Sequence, residues 1–305
     1  MSAGPPLSLV ADPAWTAALA RVRDARVVLV LGESDSGKTS FTTYLAGALV
    51  AAGHSVAVVD ADLGQSVIGP PTTVGLGELR APVARLGDAG LRGLAFVGAT
   101  SPIAHVRPTV AATGRMTEQA RRLGVEHILV DTSGLVQREI GRLLKQQKID
   151  RVAPDLVLCL QRDGECEHIL HAYAAGAPAV LRLAVASAVR QRSADERRRR
   201  RESAFATYFA DARQVELDLG RVVLGEPRRP GDAFDDIQDV VAGLDGAAGE
   251  TLGLGVVRAV DLARRAIVLE TPVPADGIAA VRLSGVRLRL LDSSDPGLPP
   301  ICIEV

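Results

Sequence analysis

Eight consecutive residues, Gly32-Glu-Ser-Asp-Ser-Gly-Lys-Thr39, fit G-x-x-x-x-G-K-[ST] in full. The chemistry this spacing serves is phosphate binding. Two glycines let the backbone wrap an anion with its amides turned inward, the lysine reaches the outer phosphates, and the hydroxyl ligates Mg²⁺. Gly32, Glu33, Ser34, Asp35, Ser36, Gly37, Lys38, Thr39 and Ser40 are therefore the expected nucleotide cradle, with Lys38 as the catalytic cation and Thr39 as a metal ligand. Such a loop needs carboxylates to hold the metal and, where the acceptor is a hydroxyl, to take its proton. Asp60-Ala-Asp62 and Asp131-Thr-Ser-Gly134 each close an apolar run and supply them. A strand-end aspartate often only caps a turn, but three of them on strands flanking one glycine loop point to chemistry. Asp60 is assigned as the general base, with Asp62 and Asp131 nearer the metal; the reverse assignment stays open.

Two further features bear on the reaction. No N-K-x-D element follows Leu160, where Gln161-Arg-Asp-Gly164 stands instead, so ATP rather than GTP is the expected donor. Residues 190–202 carry seven arginines against three acids, a local net charge of +4. Within that run Arg197 and Arg201 are four apart and share a helix face. Two readings fit: a solvated helix face, or a lid that closes on the phosphoryl group and stabilises its charge in the transition state. The histidines carry less. His168 and His171 are three apart on a helix with no third metal ligand in sight, while His105 follows Thr100-Ser-Pro102 and is a candidate to face substrate.

The elements that must position these groups follow from periodicity. Arg26–Leu31, Val56–Asp60, Leu94–Val97, His127–Asp131, Asp155–Leu160 and Ala179–Leu183 read as buried strands. Between them Lys38–Ala52, Thr109–Leu123, Glu139–Gln147 and Glu165–Ala175 read as helices, three of them closed by glycine. Strands alternating with helices imply an α/β fold, the parallel sheet of a P-loop NTPase with helices on both faces. Residues 1–24 read as a lead-in containing a short helix that starts at Asp12-Pro13; 25–224 as the nucleotide-binding domain, with a charged lid helix near 193–213; and 225–305 as a linker, Glu226–Glu250, followed by a small β-rich domain.

The bulk numbers exclude some classes. With a net charge of −1 the whole chain exerts no pull on nucleic acid, so any polyanion site is a local patch. No apolar stretch approaches the length of a membrane span, and three cysteines without metal-knuckle spacing read as reduced thiols, so a cytoplasmic monomer is expected. Lysine occurs only at Lys38, Lys145 and Lys148, in a chain of 35 lysines plus arginines.

Taken in order, the motifs resemble the polynucleotide 5′-hydroxyl kinases related to the RNA kinase subunit of the pre-mRNA cleavage factor and to the ribosomal-RNA-processing kinases. The resemblance rests on the glycine loop, on Val59-Asp-Ala-Asp-Leu-Gly-Gln-Ser66 for D-x-D-x-G-Q, and on Gly69-Pro-Pro-Thr-Thr-Val-Gly75. It continues through Val97-Gly-Ala-Thr-Ser-Pro102, Asp131-Thr-Ser-Gly-Leu135, Arg197-x-x-x-Arg201 with Tyr208-Phe209, and Thr271-Pro-Val-Pro274. It implies transfer of the γ-phosphate of ATP to a 5′-hydroxyl end of RNA, or also DNA, with the arginine pair as lid and RNA-processing proteins as partners. It further implies Gln65, Thr100, Ser101, His105, Thr132, Ser133 and Leu135 as substrate-side residues. Leu135 stands where the family has a base-stacking tryptophan, and the asparagine that follows the Thr-Ser-Pro loop in the family is absent, with His105 nearby. Two other functions fit a bare nucleotide-binding loop: an assembly protein that holds ATP without consuming it, and a small-molecule kinase.

Overall fold

The computed structural model describes residues 13–187, 189–225, 237–290 and 301–304. Along the chain the first elements are α1 (Pro13–Arg23), β1 (Val27–Gly32), α2 (Lys38–Ala51), β2 (Val56–Ala61), β3 (Thr73–Leu79) and β4 (Gly90–Phe96). Then come α3 (Val106–Arg122), β5 (His127–Thr132), α4 (Arg138–Val152), β6 (Leu156–Gln161), α5 (Glu167–Leu170), β7 (Ala179–Ala184) and α6 (Ala194–Tyr208). The remainder is strand: β8 (Arg213–Asp218), β9 (Val223–Leu224), β10 (Val240–Asp245), β11 (Thr251–Asp261), β12 (Ala266–Thr271), β13 (Ala280–Leu290) and β14 (Ile301–Glu304).

Strands β2, β5, β1, β6 and β7 lie side by side in that order and run parallel. Successive side chains of a strand face opposite ways, so an unbroken apolar run supplies two cores. Val28, Val30, Val56, Val58 and Leu158 meet α1 and α2 on one face. Leu29, Leu31, Ala57, Val59 and Val130 meet α3, α4 and α5 on the other. Truncating one of the leucines, such as Leu29, to alanine costs about 2–5 kcal/mol. Helix α1 is part of this packing, because Trp15 sits 5.0 Å from Phe41 and 5.6 Å from Tyr44 on α2; the expected Asp12 cap lies outside the described residues.

The expected parallel sheet is extended past β2 by β3 and β4, which add as an antiparallel pair. Strand β3 escaped the sequence reading because Gly75 and Gly77 interrupt its apolar pattern. Strand β10 lies inside the stretch read as a linker and is buried along its whole length between β11 and β13. The C-terminal sheet also takes in β8 and β9, which pair with β12 and β13, although residues 213–224 were assigned to the first domain. The helix expected over 165–175 shortens to α5 and a 3₁₀ turn at His171–Tyr173, and α4 runs five residues past its expected end at Gln147, to Val152. Thr251 on β11 pairs with Leu94 on β4, which joins the two sheets edge to edge. Phe205 of α6 is fully buried against Leu254, Val256 and Leu288, so the lid helix is rooted in the C-terminal sheet. Its N-terminus is fixed by a capping box, in which the Ser193 hydroxyl accepts from the Glu196 amide and the Glu196 carboxylate accepts from the Ser193 amide.

Candidate active site

The glycine loop joins β1 to α2 as its spacing required. Gly37 takes a left-handed φ of 85°, which a side chain would strain, and this turns the chain into α2. Lys38 is 7 % exposed, and its ammonium donates to the Glu33 carbonyl at 2.6 Å and the Ser36 hydroxyl at 3.4 Å. Burial lowers its pKa and the charge of Asp131 opposes the shift. The loop after β5 packs hard on this cradle: a Cβ on Gly134 would come within 2.4 Å of the Ser34 backbone.

The three aspartates divide into three environments. Asp131 is buried; its Oδ2 accepts from the Thr39 hydroxyl at 2.6 Å, while its Oδ1 has no partner among the described residues. Burial raises its pKa, and the Thr39 hydroxyl bond works the other way. Asp60 is 1 % exposed, and Oδ2 accepts from the amides of Val67 and Ile68 at 2.6 and 3.0 Å while Oδ1 accepts from the amide of Asp62. Its carboxyl is pushed up to about 7, by burial first and the Asp131 charge second. A carboxylate so occupied shapes the 62–68 loop, and Asp60, expected as the base, is not among the residues that line the crevice. Asp62 is half-buried and lines the open crevice above the glycine loop, its Oδ1 held by the amides of Gly64 and Gln65, both at 3.0 Å.

Helix α6 roofs the crevice. Arg197 Nη1 donates to Asp35 Oδ2 at 3.0 Å, and the Arg192 amide donates to the same oxygen at 3.0 Å. Gln65 ties the Asp62 loop to the lid by donating to the Arg197 carbonyl at 3.0 Å. Arg201 is half-buried and lines the crevice, with its Nε unpartnered among the described residues.

The crevice holds about 1420 Å³. Seven cations line it (Lys38, Arg85, Arg190, Arg192, Arg197, Arg200, Arg201) against two acids, Asp35 and Asp62. That excess gives the crevice a local positive balance on a chain of net charge −1. Of the residues singled out in the sequence, Ser34, Asp35, Gly37, Lys38, Thr39, Ser40, Asp62, Gln65, Thr132, Arg197 and Arg201 line it. Thr100, Ser101, His105, Ser133 and Leu135 are not among its lining residues: His105 caps α3, its carbonyl accepting from Thr109. Gly32, Glu33, Ser36, Asp60 and Asp131 do not line it either; the Glu33 carbonyl and Ser36 hydroxyl accept from Lys38.

Sequence reasoning missed Lys145 and Lys148 on α4, both fully buried beneath the crevice. Lys145 Nζ donates to the Thr132 hydroxyl at 2.8 Å and to the Ser133 carbonyl, and Lys148 Nζ donates to the Ala61 carbonyl at 3.1 Å. The signal that marks them is scarcity, because every lysine of the chain sits at this one site.

Unpartnered polar atoms collect here: Asp131 Oδ1, Ser133 Oγ, Gln65 Oε1 and Arg201 Nε are buried without partners among the described residues. The Thr39 hydroxyl and the Asp131 carboxylate, here hydrogen-bonded to each other, are oxygen donors of the kind a hard divalent cation takes. A triphosphate fits the glycine-loop amides with Lys38 and the lid arginines above.

A strand–loop–helix phosphate cradle, flanking carboxylates and an arginine-bearing roof define a P-loop phosphotransferase. A family model, that of the mRNA cleavage and polyadenylation factor CLP1 P-loop, matches residues 32–211, and the chain belongs to that family. It is similar to a polyribonucleotide 5′-hydroxyl-kinase of Pyrococcus furiosus, at 26 % identity over 314 residues, covering 86 % of this chain and 87 % of that one. A polyribonucleotide 5′-hydroxyl-kinase of Thermococcus kodakarensis is 33 % identical over 199 residues, 65 % of this chain and 55 % of that one. Among solved structures, that of the wild-type Clp1p–Pcf11p complex shares the fold, with a TM-score of 0.71 at 14 % identity over 88 % of this chain and 77 % of that one. No described helix is long and apolar enough to cross a membrane.

Proposed function

We propose that this protein is an ATP-dependent polynucleotide 5′-hydroxyl kinase whose acceptor is an RNA end. The observation that carries the reading is the convergence of Lys38, Asp62, Arg197 and Arg201 on one crevice beside the Thr39–Asp131 pair. In this reading Asp62 takes the proton of the 5′-hydroxyl, the new O–P bond forms at the γ-phosphorus, and the bond to the β-phosphate bridging oxygen breaks to leave ADP. Lys38 and the lid arginines hold the phosphate oxygens as charge shifts among them. Thr39 and Asp131 hold Mg²⁺, which when bound neutralises the outer phosphates. Protein partners from RNA processing belong to the same reading, supported by family membership.

A second reading, an assembly protein that holds ATP unconsumed, draws on the bond between Arg197 and Asp35, which points a lid arginine at the protein rather than at phosphate. One assay separates the two. Incubation with γ-labelled ATP, Mg²⁺ and 5′-hydroxyl oligomers of RNA and DNA gives label at the 5′ end, RNA exceeding DNA, and Lys38→Met abolishes it. ATP bound by calorimetry with no end labelled overturns the kinase reading in favour of the second.

A further inference from the structure

The composition of this chain makes an internal control. Arginine carries nearly all of its positive side-chain charge, yet lysine is kept at three positions, one lining the crevice and two buried beneath it. Lys38 belongs to the glycine loop. Lys145 and Lys148 do not touch the crevice; they lie one helical turn apart on α4, fully buried, with their ammonium groups under the ends of β2 and β5. Burying a cation is costly unless its hydrogen bonds and counter-charges are in place. Here they are: the charges acting on Lys148 are those of Asp62, Asp60 and Asp131, and its proton is donated to the Ala61 carbonyl. A compact ammonium fits such a closed space where a planar guanidinium with five donors does not.

We propose that Lys148 is a positioning residue for phosphoryl transfer: by holding the Ala61 carbonyl from beneath, it fixes the peptide that carries Asp62 and so aims that carboxylate at the acceptor hydroxyl. Lys145 does the same for the loop after β5, gripping Thr132 and the Ser133 carbonyl so that Gly134 stays pressed on Ser34. The two lysines thereby set the distance between the two halves of the site, the Asp62 loop and the glycine loop, without touching substrate. Burial lowers Lys148 to about 8, with the three aspartates opposing, so the group still carries its charge at neutral pH. The Lys145 ammonium is held well below the usual lysine range, by burial first and then by the charges of Lys148 and Lys38, and it grips as a hydrogen-bond donor in either protonation state.

The proposal rests on the kinase reading for its rate prediction but has a readout of its own. Lys148→Met is compared with the unaltered chain by amide hydrogen exchange, by ATP calorimetry and by single-turnover transfer to a 5′-hydroxyl oligoribonucleotide. Exchange should quicken over residues 60–68 and stay unchanged over 32–40 and in the C-terminal sheet. The affinity for ATP should hold within a factor of about three, while the transfer rate falls on the order of ten- to a hundredfold, the cost of a misaimed group. Should Lys148→Met fail to fold, Lys148→Gln, which keeps a donor near the Ala61 carbonyl but removes the charge, takes its place and should show the same rate loss with smaller loosening of the loop. Unchanged exchange over 60–68 in a folded variant overturns the proposal, as does a rate loss matched by an equal loss of ATP affinity. An unaltered chain that labels no end overturns the kinase reading alone, since exchange over 60–68 still judges the lysine.

Discussion

Arg197 of the lid helix and Asp35 of the glycine loop are joined across the mouth of the crevice, Nη1 to Oδ2 at 3.0 Å. The Asp35 side chain is only 6 % exposed, and Arg192 bonds it from the same side. A carboxylate of the glycine loop thus occupies a guanidinium that the kinase proposal gives to phosphate. Helix α6 is thereby tied to the loop it covers, and in the proposed reaction ATP exchanges one anion for another at Arg197.

Replacing Asp35 by asparagine tests this latch. Asn tolerates the left-handed φ of 53° found there, so the loop keeps its shape. Arg197 is partly exposed, so the lost ion pair is worth up to ~1 kcal/mol. Asp35→Asn should therefore tighten ATP binding by about two- to fivefold in calorimetry. Unchanged or weaker binding would show that the contact does not compete with phosphate.

Asp62 and Asp60 stand two residues apart but should behave as different kinds of group. Asp62→Asn removes the crevice-facing base and should lower kcat by about 10²–10⁴-fold while ATP affinity stays the same. A comparable fall in affinity would place Asp62 on the nucleotide instead.

The pH dependence of stability reports on Asp60. Its folded pKa of about 7 lies above the value of 3.8 for a free aspartate. Between those values the folded chain holds a proton that the unfolded chain has released, so this group's contribution is full below pH 3.8 and is lost as pH rises through 7. A single proton gives a slope of up to about 1.4 kcal/mol per pH unit. The buried lysines, whose folded pKa values are lowered, work in the opposite direction, so the readout is a difference: in urea melts of the metal-free protein between pH 5 and 8, the unaltered chain should lose stability relative to Asp60→Asn as pH rises. Parallel slopes in the two proteins would remove Asp60 as the titrating group.

Arg201 reaches into the crevice with an unpartnered Nε, whereas Arg197 is latched. Arg201→Ala should lower kcat by about 10²–10³-fold with a small change in KM for ATP, as expected for a donor used in the transition state. Arg201→Lys should not restore the rate, because a point charge does not replace a planar fork. A rise in KM alone would assign Arg201 to ground-state binding.

The local pattern of the chain settled a good deal by itself. Spacing alone placed Gly32 to Thr39 between a strand and a helix, because the phosphate cradle is built from consecutive residues. Alternating apolar runs and amphipathic stretches set the order of β1, α2, β2, α3, β5, α4 and β6, and the spacing of Arg197 and Arg201 put them on one face of a roof. What the tertiary structure decided was everything set by pairing distant segments. Strand β3 exists because β2 and β4 hold a glycine-broken sequence between them, and β10 because β11 and β13 enclose it. Asp60 and Asp62 look alike in sequence; only the return of the 66–68 loop, whose amides of Val67 and Ile68 fall on Asp60, leaves Asp62 as the one facing the crevice. Lys145 and Lys148 read as ordinary helix lysines until α4 lies under the ends of β2 and β5. Side-chain periodicity is a property of neighbours in the chain, whereas burial, charge pairing and access to a crevice depend on which distant segment closes over a residue.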